Sequence, residues 1–163
     1  LSKICGGKEK ASEEVKDILL CMGASVVLCG EIGAGNVTKL ANQIIVAVNI
    51  AAMSEALTLA TKAGVNPDLV YKAIRGGLAG STVLDAKAPL VMDRKFDPGF
   101  RINLHIKDLN NIMETGHEIG SPLPLSASVL EMMQTLRADG LGDKDHGALI
   151  RYYEKLANME VSR

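Results

Sequence analysis

The chain has 163 residues, a formal net charge of −1 and a hydrophobic content of 47%, which fit a globular domain with a sizeable core. The near-zero charge excludes a general electrostatic attraction to nucleic acid or to an anionic membrane. Aromatic residues make up only 3% and Trp is absent, so the core must be built from aliphatic side chains and Met. That composition favours packed helices over a sandwich of strands.

The three cysteines, Cys5, Cys21 and Cys29, are odd in number and show no CxxC spacing. This pattern favours neither a zinc site nor a disulfide framework, and it predicts a reducing compartment. The N-terminal residues show no signal-peptide pattern. We therefore expect a cytoplasmic protein.

The first thirty residues predict a strand over 1–5, a helix over 12–22 and a second strand over 25–29. Two short strands rarely form an independently stable sheet, and the first residue is Leu1 rather than methionine. We therefore expect that the chain begins inside a larger α/β domain, of which residues 1–32 are the remaining part.

From residue 36 onward the pattern is helical, and it predicts an all-α domain over 33–163. The first helix is predicted over 36–63, with a length of roughly 40 Å at ~1.5 Å per residue. Such a helix needs several neighbours or a partner subunit. Its longest unbroken apolar run, 44–48, is far shorter than the ~18 residues of a membrane span. We interpret it as a core helix.

Further helices are predicted from cap residues and apolar spacing. Asn66 followed by Pro67 predicts an N-cap and a first helical position. The predicted ranges are 67–75, a stretch from 82 that Pro89 interrupts, 103–118, 125–138 and 145–157.

The segment 30–35, GEIGAG, lies between a predicted strand and the long helix. Its spacing is GxxGxG, and no short helix with a second strand follows, so we reject the dinucleotide-binding fingerprint. The glycines predict that backbone or substrate approaches the helix start closely. The free N–H groups of a helix start suit a substrate carboxylate.

Lys39 and Asn42 are three residues apart and therefore share a helix face. That face continues through residues that we predict to be buried, namely Val46, Ile50, Met53 and Leu57. A buried ammonium is costly and loses its proton more easily than a free one, which makes Lys39 the first candidate for chemistry. In the alternative interpretation, Lys39 extends to solvent and Asn42 bonds a neighbouring loop.

Other polar and aromatic residues carry weaker signals. Lys107 and Asp108 fit a surface lysine with an acidic neighbour, and Phe100 fits either a core residue or a pocket wall. The three histidines, His105, His117 and His146, show neither metal-ligand spacing nor a triad pattern. We expect them to be structural or solvated, and we predict no metal site.

Two motifs in combination resemble a known family, the β-hydroxyacid dehydrogenases, which include 3-hydroxyisobutyrate dehydrogenase. The first is Gly33-x-Gly35-x-x-x-Lys39-x-x-Asn42. The second is Phe100 followed by Leu104-x-x-Lys107-Asp108-Leu109. The resemblance covers nearly the whole chain, and segments 51–56 and 80–85 look most like the family's bacterial tartronate semialdehyde reductases.

The resemblance implies a mainly-α fold, in which an all-helical C-terminal dehydrogenase domain follows the strand–helix–strand remainder of a Rossmann domain. That helical domain would be similar to the C-terminal domain of 6-phosphogluconate dehydrogenase. The resemblance also implies NAD or NADP as cofactor, a small hydroxy-acid or aldehyde-acid substrate, and a homo-oligomer formed through the long helix. The family's N-terminal glycine fingerprint and substrate loop are absent from these 163 residues, so the chain alone is expected to be inactive.

By the same resemblance, Lys39 is the catalytic lysine, and Gly35 and Asn42 bind substrate. Phe100 would line the active-site cleft, and Lys107 would contact the cofactor. The function implied for the whole protein is the interconversion of tartronate semialdehyde and D-glycerate by hydride transfer. The alternatives are a family member that acts on another hydroxy acid, and a helical dimerisation module in which the lysine is incidental.

Overall fold

The computed structural model describes residues 2–163. It divides into two compact units, Leu1–Gln43 and Ile44–Arg163. The division falls inside a long helix, whereas the predicted domain boundary, between residues 32 and 33, lies just before that helix.

The first unit contains strand β1 (Ser2–Cys5), helix α1 (Glu9–Leu20), strand β2 (Ser25–Leu28) and the first turns of helix α2 (Ala34–Lys62). The two strands pair in parallel, with Ser2 opposite Ser25 and Cys5 opposite Leu28. The predicted strand–helix–strand order is therefore confirmed. Leu1, which the sequence analysis included in the first strand, lies outside the described residues.

The end of β1 and the start of α2 approach each other backbone to backbone. A Cβ added to Gly35 would lie 3.0 Å from the Gly6 nitrogen, and one added to Gly6 would lie 2.6 Å from the Gly35 nitrogen. Gly33, just before α2, has a φ of 95°, in the left-handed region that favours glycine. The predicted close approach at the helix start is therefore confirmed, and here the approaching group is backbone.

The second unit is helical. It contains the rest of α2, five further α-helices and a short 3-10 helix at His146–Leu149. The five helices are α3 (Pro67–Ile74), α4 (Thr82–Met92), α5 (Ile102–Glu118), α6 (Pro124–Ala138) and α7 (Ile150–Ala157). Asn66 caps α3 as predicted, since its side-chain oxygen accepts from the Asp68 N–H at 2.9 Å. The mainly-α fold class is confirmed.

The core of the second unit is built from aliphatic side chains and methionines, as the composition predicts. The largest side chains buried almost completely include Ile50, Leu57, Met92, Ile106, Leu109, Met133, Leu136 and Leu149. They lie on α2, α4, α5, α6 and the 3-10 helix, and α5 packs against α6. Burial of this apolar surface is the main stabilising term of the unit.

Two element predictions are wrong in detail. The helix predicted to be interrupted at Pro89 continues through it to Met92. Proline removes one helical N–H, but Ala88, Val91 and Met92 are buried, and their burial offsets the lost hydrogen bond. The helix predicted over 145–157 begins instead as the 3-10 turn, with Asp145 as its N-cap.

Helix α2 is long and apolar enough, by length and composition alone, to cross a membrane, with a mean hydropathy of 1.7 in its most apolar window. Core helices of soluble proteins meet the same criterion, and 39% of that window is buried within the structure. That α2 is a core helix stays a prediction.

Candidate active site

A cavity of about 790 Å³ lies in the first unit. The end of β1, the glycine loop before α2 and the first turns of α2 form its walls, and its lining includes Gly35, Lys39 and Asn42. The structure thus brings together three of the five residues that the sequence analysis selected. Lys3 also lines the cavity, and none of its lining residues within 2–163 is acidic, so the cavity is electropositive.

The amine and the amide in this cavity converge on one oxygen. Lys39 Nζ donates to Gln43 Oε1 at 2.8 Å, and Asn42 Nδ2 donates to the same oxygen at 2.8 Å. The Gln43 side chain is buried, with 4% of the residue exposed, and therefore provides a fixed acceptor. Gln43 is not among the predicted site residues. Its position four residues after Lys39, on the same helix face, was the available signal.

The prediction that Lys39 is buried is wrong. Both Lys39 and Asn42 are exposed, and the buried face of α2 begins at Gln43 and includes Ile50. The reason is local, because the first two turns of α2 border an open cavity instead of packed side chains. The alternative interpretation is only half right, since Lys39 reaches solvent but Asn42 bonds Gln43 and not a neighbouring loop.

Phe100 and Lys107 lie in the second unit. The Phe100 ring is half-buried and contacts two histidine rings, with centroid distances of 5.6 Å to His105 and 5.3 Å to His146. The Lys107 side chain is 66% exposed, and its Nζ lies 3.1 Å from Asp108 Oδ1. Phe100 is therefore fixed by its neighbours, whereas the Lys107 ammonium is accessible from solvent.

A buried ion pair, which the sequence analysis also missed, lies beside Phe100. Lys87 Nζ donates to both carboxylate oxygens of Asp145, at 2.8 and 2.9 Å. Burial alone would raise the pKa of Asp145, but the hydrogen bonds from Lys87 and from the Gly147 and Phe100 N–H groups hold it below its usual value. The carboxylate therefore stays charged.

His146 adjoins this pair and is held neutral. Burial is the largest cause that lowers the pKa of His146 to about 3, and the charge of Lys87 and the nearby His105 act in the same direction. The two histidines meet through their Nδ1 atoms, 3.0 Å apart. In such a contact one nitrogen donates and the other accepts. Both rings are buried, whereas His117 is exposed.

Within residues 2–163, no group of three His, Cys, Asp or Glu side chains is arranged to hold a metal ion. Cys5, Cys21 and Cys29 are free thiols. The cytoplasmic location stays a prediction.

Comparison with protein families matches residues 33–153 to the NAD-binding domain of NADP-dependent 3-hydroxyisobutyrate dehydrogenase. This match covers most of the chain, including α2 and the helical second unit up to residue 153. The chain belongs to the 3-hydroxyisobutyrate dehydrogenase family, as its two motifs indicate.

Named relatives agree with this assignment. The chain is 41% identical to 2-hydroxy-3-oxopropionate reductase of Escherichia coli over 99% of its own length and 56% of that protein. It is 31% identical to 2-(hydroxymethyl)glutarate dehydrogenase of Eubacterium barkeri over 99% of the chain and 54% of the relative. The chain thus spans about half the length of the curated relatives it matches.

Solved structures show the same fold. The chain superposes with a TM-score of 0.86 and 26% identity on 3-hydroxyisobutyrate dehydrogenase of Mycobacterium tuberculosis, determined with L-serine, over 93% of the chain and 54% of that structure. The TM-score is 0.84, at 28% identity, for 3-hydroxyisobutyrate dehydrogenase of Salmonella typhimurium, over 91% of the chain and 52% of the structure.

Proposed function

We propose that the whole protein is an NAD(P)-dependent reductase that interconverts tartronate semialdehyde and D-glycerate, with Lys39 as its general acid and base. The observation that carries the proposal is the convergence of Lys39 Nζ and Asn42 Nδ2 on Gln43 Oε1, each at 2.8 Å. Two donors held side by side at a cavity can bind a single substrate oxygen or two neighbouring ones. Such positioning is a large part of catalysis.

In the reducing direction, the ammonium of Lys39 donates a hydrogen bond to the carbonyl oxygen of the substrate. As negative charge develops on that oxygen, Lys39 transfers a proton to it, and the amine that remains is the base for the reverse reaction. Asn42 holds a neighbouring substrate oxygen through its neutral amide. The electropositive cavity, with Lys3 and the N-terminus of α2, suits the substrate carboxylate.

The cofactor supplies the hydride when it is bound. Lys107 fits a role in holding it, because its ammonium is exposed and can reach an anionic group such as a phosphate. In this proposal Phe100 provides an apolar wall of the cleft. Both residues belong to the segment that matches the NAD-binding family model.

The identity of the proposed substrate is inferred from the names of similar proteins. The relative with 41% identity is named for 2-hydroxy-3-oxopropionate, which is tartronate semialdehyde. A relative with 31% identity is named for a different hydroxy acid, so an enzyme of this family that acts on another substrate is the alternative. Turnover assays of the whole protein with both compounds distinguish the two.

The test of the proposed chemistry is Lys39→Ala in the whole protein. Loss of the general acid and base is expected to lower kcat by about 10²- to 10⁴-fold. Lys62→Ala, on the same helix, is the control and is expected to keep kcat. Steady-state assays with saturating cofactor measure both, and retained turnover in Lys39→Ala would end the proposal.

We also propose that the whole protein forms a homo-oligomer through α2. Apolar side chains on one side of this helix are exposed, including Ile45 at 61% and Leu59 at 72%, with the exposed Ala52 and Ala56 between them. Their spacing follows the repeat along which two helices pack. Sedimentation velocity should show a dimer or larger species that Leu59→Glu dissociates, and a monomeric parent protein would refute the proposal.

A further inference from the structure

The Asp145 carboxylate joins two segments of the second unit. Its side chain is 5% exposed, and it accepts hydrogen bonds from one ammonium and three backbone N–H groups. Two of those N–H groups belong to Gly99 and Phe100, and the third belongs to Gly147. One buried side chain therefore holds the Phe100 loop to the start of the 3-10 helix.

The two carboxylate oxygens bind different segments. Oδ2 accepts from the Gly99 N–H at 3.0 Å and from the Phe100 N–H at 3.1 Å. Oδ1 accepts from the Gly147 N–H at 2.9 Å, and Lys87 bridges both oxygens. An asparagine has only one acceptor oxygen, so it cannot serve both segments at once.

Backbone hydrogen bonds also fix the position of Phe100. The His146 N–H donates to the Phe100 carbonyl at 2.8 Å, and the Asp145 N–H donates to the Phe96 carbonyl at 3.0 Å. Both main-chain polar groups of Phe100 are thus bound by residues 145 and 146. The orientation of the Phe100 ring is fixed in addition by His105 and His146, which both pack against it.

We propose that Asp145 is a positioning residue that fixes Phe100 in the wall of the substrate cleft. This inference rests on the proposed function, in which Phe100 lines that cleft. The Oδ2 atom sets the place of the Phe100 main chain, the neighbouring histidines set the ring, and Lys87 keeps the carboxylate in place.

The ion pair with Lys87 does not by itself explain why a carboxylate stands at position 145. A buried ion pair can often be replaced by apolar residues of similar volume without loss of stability. An apolar residue at position 145 cannot accept from three N–H groups, and buried N–H groups without partners are costly. What the carboxylate adds is therefore a fixed geometry for residues 99 and 100.

The experiment uses the whole protein labelled with 4-fluorophenylalanine, and Phe100→Leu assigns the fluorine resonance of Phe100. In Asp145→Asn this resonance is expected to shift or broaden. Asp143→Asn is the matched control, because Asp143 is two residues away with a side chain that is 81% exposed. An unchanged Phe100 resonance in Asp145→Asn would overturn the inference.

Kinetics separate positioning from a general loss of stability. Asp145→Asn is expected to raise the KM for the hydroxy acid about tenfold with a smaller change in kcat, as lost hydrogen bonds of this kind predict. In a Phe100→Ala background, the same substitution should add no further change to KM. Additive effects on KM would mean that Asp145 does not act through Phe100, and would refute the inference.

Asp145→Asn leaves the Lys87 ammonium buried without its counter-charge and can prevent folding. The double variant Lys87→Met with Asp145→Asn removes both charges and serves for the same fluorine and kinetic measurements. If Lys39→Ala keeps full turnover, the proposed function fails. The fluorine measurement then still tests whether Asp145 positions Phe100. A displaced Phe100 resonance supports this positioning role, and an unmoved resonance refutes it.

Discussion

Lys39 and Lys87 form hydrogen bonds of the same length, but the partner of Lys39 is a neutral amide and the partner of Lys87 is a charged carboxylate. Lys39 Nζ lies 2.8 Å from the neutral amide oxygen of Gln43, at the edge of an open cavity. Lys87 Nζ lies 2.8 Å from the carboxylate of Asp145, and the two side chains are only 16% and 5% exposed. The first ammonium has a neutral partner, and the charge of the second is neutralised.

This difference indicates what each site can do. An amine that exchanges a proton with a substrate oxygen must keep its donor face accessible, and a neutral acceptor orients it without neutralising it. An amine that holds a loop in place gains from a carboxylate, because charge-assisted hydrogen bonds are the stronger kind. Substitution of Lys39 should therefore affect turnover, and substitution of Lys87 should affect stability.

The largest expected difference is in stability. Lys87→Met removes the counter-charge of a buried carboxylate and is expected to lower the free energy of unfolding by about 3–5 kcal/mol. Lys39→Met removes an exposed amine with a neutral partner, and its expected effect is within about 0.5 kcal/mol. Urea unfolding of both variants measures the difference, and equal losses would contradict the comparison.

The second, smaller effect is a dependence on pH that comes from the buried cluster. His146 faces Lys87 on α4, His105 on α5 and the adjoining Asp145, and its pKa is lowered to about 3. In the unfolded chain its pKa is about 6.5, so between these two values the unfolded state binds the extra proton. Stability is therefore full above about pH 6.5 and falls as the pH decreases, by about 2 kcal/mol between pH 7 and pH 5.

Denaturant unfolding at pH 7 and pH 5 measures this change. His146→Phe should reduce it, and His117→Asn, at an exposed position, should leave it intact. Asp145, whose pKa is lowered from 3.8, adds a further loss of stability only as the pH falls below that value. A loss between pH 7 and pH 5 that survives in His146→Phe would show that another group is responsible.

Much of the fold could be predicted from the sequence because its signals are local. Asn66 and Pro67 mark the start of α3 through capping and backbone geometry that involve only neighbouring residues. The continuation of α4 through Pro89 could not be predicted in this way. It depends on the burial of Ala88, Val91 and Met92 by elements elsewhere in the chain.

The residues of the candidate site also divide into those with a local sequence signal and those that depend on distant contacts. Lys39 and Asn42 were found because they share one helix face, and Gln43 was within reach of the same reasoning. The ion pair of Lys87 with Asp145 joins residues 58 positions apart, and the contact of His105 with His146 joins residues 41 positions apart. No helix or strand period connects such positions, so only the folded structure reveals them.

The glycine contact between β1 and α2 has a mechanical consequence. No side chain separates the Gly6 and Gly35 backbones, so no rotamer change can absorb a movement of one against the other. Lys39 follows Gly35 by four residues, about one helical turn. A ligand that displaces the end of β1 by a fraction of an ångström would therefore displace the start of α2, and Lys39 with it, by a similar distance.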